Sequence, residues 1–265
     1  MSGSLAFDVF APGAMTLLVL FGSRMSGLML IAPVFAARPI PAAMRAGVLI
    51  TLVVLMLPVI SRTGAAATAQ ATPAALLSEA TIGFVIGLGA ALMVGAAEMA
   101  GELLSIQIGL QGSAIVDPMS HQQSTALGQF LQLFALALLL SLNAHVVMLE
   151  ALRSSVDLIP VGTAGPLTQG FGSILRLGST LFVLGLRFAA PVIAVVLMVN
   201  VALAVLSRAA PQLNILSLAF PVQILAGLAA LIALVPILGS WFLGWESTYA
   251  DLVGRGLEPF VPGRR

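Results

Sequence analysis

Long apolar stretches with few charges dominate the chain. Val9–Ala36 is broken only by Arg24, and Ala46–Ser61 and Ala74–Ala97 follow as further apolar runs. Pro118–Leu149 carries no Asp, Glu or Arg, its apolar part being about Leu127–Leu149. Gly178–Leu206 is broken by Arg187, and Ala209–Trp245 is uncharged but contains Pro211, Pro221 and Pro236. A helix needs about 20 mostly apolar residues to cross the hydrocarbon core of a bilayer. The runs are continuous and do not alternate at every second residue, so they predict helices and not barrel strands. The pattern predicts an all-α, membrane-associated bundle of about six long, partly kinked apolar helices.

Breaks between the runs are legible. Arg38-Pro39-Ile40-Pro41 predicts a tight break, because each proline disfavours helix in the residue before it. Arg62–Pro73 predicts a small-residue surface loop, and Arg153–Gly172, rich in Gly and Pro, a long irregular connection. The tail Glu246–Arg265 is the one densely charged stretch. The start does not read as a secretory signal, since its first charge is Asp8 and its first Arg is Arg24. With six spans, Arg62, Arg153, Arg176, Arg255, Arg264 and Arg265 share the side of the N-terminus, against Arg38, Arg45 and Arg208. That asymmetry favours cytoplasmic termini.

Composition narrows the classes. Of 265 residues, 60% are apolar and 8% charged, against about 45–50% and about 25% in ordinary soluble domains. Such a chain cannot hide its apolar surface in water, which excludes a typical cytosolic enzyme or a disordered protein. All eleven basic residues are Arg and the net charge is +1, so no basic patch points to nucleic acid. There is no Cys. The two histidines, His121 and His145, are 24 residues apart and no HExxH occurs, which makes a metal site a poor reading. Ser113 near His121 has no evident orienting acid, so a hydrolase is disfavoured. No catalytic residue, metal or cofactor is expected.

Polar and small residues inside apolar helices stand out instead. Gly83, Gly87, Ala91 and Gly95 recur every fourth residue and share one helical face, which admits a close helix neighbour from this chain or from another subunit. Glu98, Glu102 and Ser105 continue along the same segment. Carboxylates deep in lipid cost several kcal/mol (~3 or more) and need water, a partner or an interface. Either the helix projects beyond the bilayer or these groups line an aqueous conduit or a polar subunit seam. Apolar Leu103 and Ile106 alongside favour the second. Gln111–Thr125 is polar and contains Gly112 and Pro118, yet keeps Ile115, Val116 and Met119, residues suited to an enclosed site. Asn200, Arg208, Gln212, Asn214 and Gln223 flank or enter the last helices and require hydrogen-bond partners in an apolar medium.

Four ordered pieces of sequence carry a family resemblance. They are Arg24-x-x-Gly27 with Ala32-Pro33-Val34-Phe35, Ile40-Pro41 and Arg45; Ala97-Glu98-x-x-Gly101 with Gln107-x-Gly109-Leu110 and Asp117-Pro118; His145 with Leu152-x-Ser154 and Ile159-Pro160; and Arg208-Ala-Ala-Pro211-Gln212-Leu-Asn214-Ile215 with Phe220-Pro221 and Gly227. Together they resemble the FliR family of flagellar type III export-gate proteins, which includes injectisome homologues. Asp117-Pro118 and the tail favour the flagellar branch. Asn143-Ala144-His145 departs from an expected Asn-Gly-His, which is expected to loosen the turn there.

The resemblance implies a subunit of a helical, conical export gate at the bacterial inner membrane, within the flagellar basal body. Its partners would be FliP- and FliQ-like subunits, with FlhB- and FlhA-like proteins and the basal-body ring nearby. It would pass unfolded flagellar subunits, use no cofactor, touch lipid and bind no nucleic acid. The proton gradient and an ATPase in other components would drive transport. Apolar helices would then be buried more by partner subunits than by lipid, overriding the six-span topology. Residues 1–150 would be FliP-like, 151–176 a connecting loop, 177–245 a FliQ-like helix pair and 246–265 a charged tail. A pore loop or plug would comprise Leu110, Gln111, Gly112, Ser113, Ala114, Ile115, Val116, Asp117, Pro118, Met119, Ser120, His121 and Gln122. Glu98, Glu102 and Ser105 would face the channel or a seam. Arg24, Arg187, Asn200, Arg208, Gln212 and Asn214 would be structural or intersubunit polar groups. The alternative is a stand-alone small-solute permease using Glu98, Arg187 and Asn200, against which no repeated half is visible.

Overall fold

The computed structural model describes residues 13–36, 41–60, 70–110, 125–164, 167–210, 212 and 215–261. Among them the chain is all-α. The helices are α1 Ala14–Ile31, α2 Ala42–Ile60, α3 Pro73–Ile108, α4 Ala126–Ser141, α5 Ala144–Leu158, α6 Leu167–Ala209, α7 Ile215–Leu243 and α8 Trp245–Leu257, with a 3-10 turn at Glu258–Phe260. Prolines lie inside α2 (Pro58), α6 (Pro191) and α7 (Pro221, Pro236), where each removes a backbone donor and favours a bend.

Among the described residues four helices are long and apolar enough to cross a membrane, Ala14–Ile31, Pro73–Ile108, Ile174–Ala209 and Leu218–Leu243, and the run Ala46–Ser61 falls in a shorter apolar helix. A fifth arises if Ala126–Ser141 and Ala144–Leu158 form one broken span. The run Leu127–Leu149 therefore divides, because Asn143 adopts φ 55 between the two helices. That left-handed residue also corrects the loosened turn: Asn itself tolerates the conformation, and Ala144, already helical and buried, needs no glycine. The irregular connection at 153–172 is a second correction. Helix continues to Leu158 and resumes at Leu167, since Gly170 and Gly172 cost only about 1 kcal/mol each within a 43-residue helix.

Two compact units divide the chain. The first combines Met1–Ala91, Asn143–Gly178 and Glu246–Arg265; the second combines Leu92–Leu142 and Ser179–Trp245. In the first, α1 and α3 meet backbone to backbone. A Cβ added at Gly27 would lie 2.8 Å from the Ala80 carbonyl carbon, and one at Gly83 would lie 2.7 Å from that of Arg24. The amphipathic α8 packs Tyr249 and Val253 over Gly89, with Leu252 and Leu257 also buried. The Tyr249 hydroxyl donates to the Ile86 carbonyl at 3.2 Å, and burial pushes its phenol above the ordinary range.

The second unit builds its core from small residues of α3 against α4, α6 and α7. Ala97, Ala100, Leu104, Leu131, Leu234 and Phe242 line a small apolar pocket there. Phe188 of α6 stacks with Trp241 and Phe242 of α7 at ring separations of 5.3 and 6.0 Å.

Candidate functional site

Polar groups inside the apolar helices gather at two places. In the first unit, Arg24 on α1 and Glu79 on α3 form a wholly buried ion pair, Nε to Oε2 at 2.6 Å. Two further guanidinium donors reach Ser155 Oγ and the Ile159 carbonyl, both at 3.0 Å. The second Glu79 oxygen accepts from the Gly162 amide at 2.7 Å. Ser155 Oγ donates in turn to the Leu152 carbonyl at 2.6 Å. Buried charges are tolerated when paired and saturated with hydrogen bonds. Here the pair fastens α1, α3, the end of α5 and the turn at Ile159–Gly162 to one another.

In the second unit the node sits where α3 meets α4. Helix α3 runs past the end of its apolar run because the two acids there, Glu98 and Glu102, find donors. Glu98 Oε2 accepts from Gln132 Nε2 at 2.8 Å, and Glu102 Oε1 accepts from the Thr125 amide at 2.6 Å. Thr125 is the N-cap of α4, its hydroxyl accepting from the Gly128 amide at 3.0 Å. Buried Ser105 donates to that same hydroxyl at 2.9 Å. An N-terminal helix amide needs an external acceptor; Glu102 supplies it from another helix, in the role a glutamate three residues on plays in a capping box. Its charge also suits the positive end of the α4 dipole. The approach is possible because Gly101 faces Gly128, where an added Cβ would lie 2.6 Å from the Gly128 Cα.

Helix α3 stops in a Schellman motif. Gly109 takes φ +81, its amide donates to the Ile106 carbonyl at 3.2 Å, and the Leu110 amide donates to the Ser105 carbonyl at 2.9 Å. The Gln107-x-Gly109-Leu110 piece is thus a helix terminator. It also places the chain's departure at Leu110 and its return at Thr125 beside the same residue, Ser105.

This is a scaffold with two internally hydrogen-bonded polar nodes, and the chain's relatives fit it. Residues 15–246 match the model of the bacterial export proteins, family 1. The chain belongs to that family. It is similar to the flagellar biosynthetic protein FliR of Pectobacterium carotovorum subsp. carotovorum, 30% identical over 215 residues, covering 81% of this chain and 82% of that one. The FliR of Bacillus subtilis (strain 168) is 29% identical over 221 residues, covering 81% and 84%. That of Escherichia coli (strain K12) is 27% identical over 215 residues, covering 81% and 82%. Membership in the export family, with the long apolar helices, makes the chain an integral membrane component of the flagellar export apparatus.

Within this export-family chain the other singled-out residues fall as follows. Gly83 and Gly87 face α1, the latter with an added Cβ 2.7 Å from Ile31. Gly95 faces Leu181 of α6 in the second unit. Asn200 on α6 accepts a hydrogen bond from Gln223 on α7. Arg187 and Arg208 are exposed, as is Gln212. Leu110 is exposed just beyond α3, whereas Gln111–Gln122 and Asn214 lie outside the described residues. Sequence reasoning missed Glu79, Ser155, Thr125 and Gln132. A signal existed for Glu79: it is the one acid within Ala74–Ala97, as Arg24 is the one base within Val9–Ala36. Nothing local marked the others.

Proposed function

We propose that the chain is a structural, channel-forming subunit of the flagellar type III export gate, assembling with FliP- and FliQ-like subunits to pass unfolded flagellar subunits across the bacterial inner membrane. The supporting observation is the α3–α4 corner. Glu102 and Ser105 hold Thr125 against the helix that ends at Ile108, and the Ser105 carbonyl holds the Leu110 amide, so the two residues that flank 111–124 are anchored at one point. A 14-residue segment held this way suits a pore loop, and its Ile115, Val116 and Met119 suit an enclosed, apolar constriction.

The carboxylates then act as scaffold: Glu98 and Glu102 spend an oxygen each on intrachain donors. The broad exposed apolar surface, including Leu197, Met198, Val201, Leu225 and Ile232, is what partner subunits and lipid would cover. A permease reading lacks a comparable observation, since Asn200 is hydrogen-bonded to Gln223 and Arg187 is exposed. The test is a strain lacking this chain, scored for hook and filament subunits in the medium. Loss of secreted subunits, restored by the wild-type chain, is expected. Normal secretion with a defect in uptake of a small solute would overturn the reading.

A further inference from the structure

The end of α3 is held on a second side, by α7. Phe220, Gln223 and Gly227 follow one another at helical steps of three and four, so they share one face of α7. Within the second unit that face meets the last turn of α3. A Cβ added at Gly227 would lie 2.7 Å from Ile108 Cδ1, and one added at Gly109 would lie 3.3 Å from the Phe220 ring and 3.9 Å from Gln223 Oε1. Gln223 Nε2 donates in turn to Asn200 Oδ1 of α6. The residue at which the chain leaves α3 thus rests on α7, and the polar side chain beside it is tied to α6.

Pairing α6 with α7 does not by itself require this bond. Farther along, the two helices are fastened by Phe188 stacked on Trp241 and Phe242. The Asn200–Gln223 bond instead fixes the α7 face at the point where it meets Gly109. Pro221 lies between Phe220 and Gln223, and its missing backbone donor weakens the ladder of α7 in that turn. A bend there carries Phe220 off Gly109. The two ends of the segment 111–124 are also held unequally. The return at Thr125 takes hydrogen bonds from Ser105 and to Glu102. Beyond the bonds of its own helix, the departure at Gly109, a left-handed residue at φ +81, is held by packing alone. The departure is therefore the end that gives first when α7 moves.

The geometry points to a latch on the pore loop: Asn200 and Gln223 fix the face of α7, and Phe220 on that face holds Gly109, so that 111–124 leaves α3 in its closed position. These three are positioning residues that act on the loop through its departure point and need not touch the cargo. The inference rests on the reading of 111–124 as a pore loop. It makes the α6–α7 hairpin the element that keeps the loop shut and a bend at Pro221 the movement that frees it.

The test is potassium leak from whole cells carrying the full chain with its natural partners, divided by the amount of chain in the membranes. Asn200→Leu removes the acceptor and strands the Gln223 amide. It should raise the leak per chain about tenfold, the population shift that matches loss of a part-buried hydrogen bond. Exchanging the pair, Asn200→Gln with Gln223→Asn, keeps both amides and their combined reach and should restore tightness. A merely structural bond would lower the amount of chain and leave the leak per chain unchanged, which overturns the latch, as does an exchanged pair that leaks like Asn200→Leu. Deletion of Ile115–Met119 separates the two readings. A leaky deletion beside a tight Asn200→Leu overturns the latch and leaves the pore loop standing, whereas a tight deletion overturns the pore loop and the latch with it. Should Asn200→Leu fail to accumulate, Phe220→Ala decides, because that ring is exposed and outside the core. It should leak at normal abundance, and wild-type tightness overturns the latch.

Discussion

Replacing Gly83 with alanine is expected to be costly although it adds a single methyl group. The new Cβ would lie 2.7 Å from the Arg24 carbonyl carbon and 2.9 Å from the Leu28 nitrogen. Both are backbone atoms, so no side-chain rotation relieves the clash. The Arg24 carbonyl oxygen is closer still, so the helices must part by more than the ~0.7 Å that would bring the carbonyl carbon back to an ordinary ~3.4 Å contact, which puts the overpacking at the upper end of about 1–3 kcal/mol. Parting α1 from α3 also stretches the 2.6 Å link between Arg24 and Glu79, and a weakened buried charge-assisted bond adds about 1 kcal/mol or more. A total of about 2–4 kcal/mol lowers the apparent thermal midpoint by roughly 5–10 °C in a chain of this size. The assay is heating of isolated membranes followed by detergent extraction and immunoblotting of the soluble chain. Gly22→Ala is the control, since a Cβ there meets nothing within 4 Å, and it should be neutral or slightly stabilising. A Gly83→Ala midpoint within a degree or so of wild type would refute the backbone-contact argument.

Other expectations follow from the two nodes. Glu79→Gln should strand the Arg24 charge and cost about 3–5 kcal/mol, seen as a severe loss of chain in membranes. The double variant Arg24→Leu with Glu79→Leu should recover most of it, and no recovery would contradict charge burial as the cause. Thr125→Ala should cost about 1 kcal/mol as a lost N-cap while Thr125→Ser stays near wild type; equal thermal midpoints for the two would count against the cap. Deleting Ile115–Met119 should make cells leaky to small ions with little loss of assembly, and unchanged whole-cell ion permeability would argue against a plug.

Helix type was legible throughout because apolar runs of this length have few other solutions. Partners of buried polar groups were harder. The spacing of Glu98, Glu102 and Ser105 carried the helix beyond the apolar run Ala74–Ala97, as α3 does to Ile108, but the donors that these acids need come from Gln132 and the Thr125 amide, distant in sequence. The same non-locality hid the Arg24 node, whose partners lie 55, 131 and 135 residues away. The tail shows a different effect. Trp245, Tyr249, Leu252, Val253 and Leu257 recur with helical period, but the interleaved charges made the segment read as polar. It forms the amphipathic α8, with all five of these residues buried. Small residues announced close packing at Gly83 and Gly87, whereas choosing between a neighbour within the chain and one outside it required the position of α1.

The most direct measurement is affinity purification of the tagged, full-length chain from its native membranes in mild detergent, with mass spectrometry of everything that accompanies it. The account predicts a stable assembly containing FliP- and FliQ-like proteins. A monodisperse chain that is stable on its own and carries no such partners would contradict it.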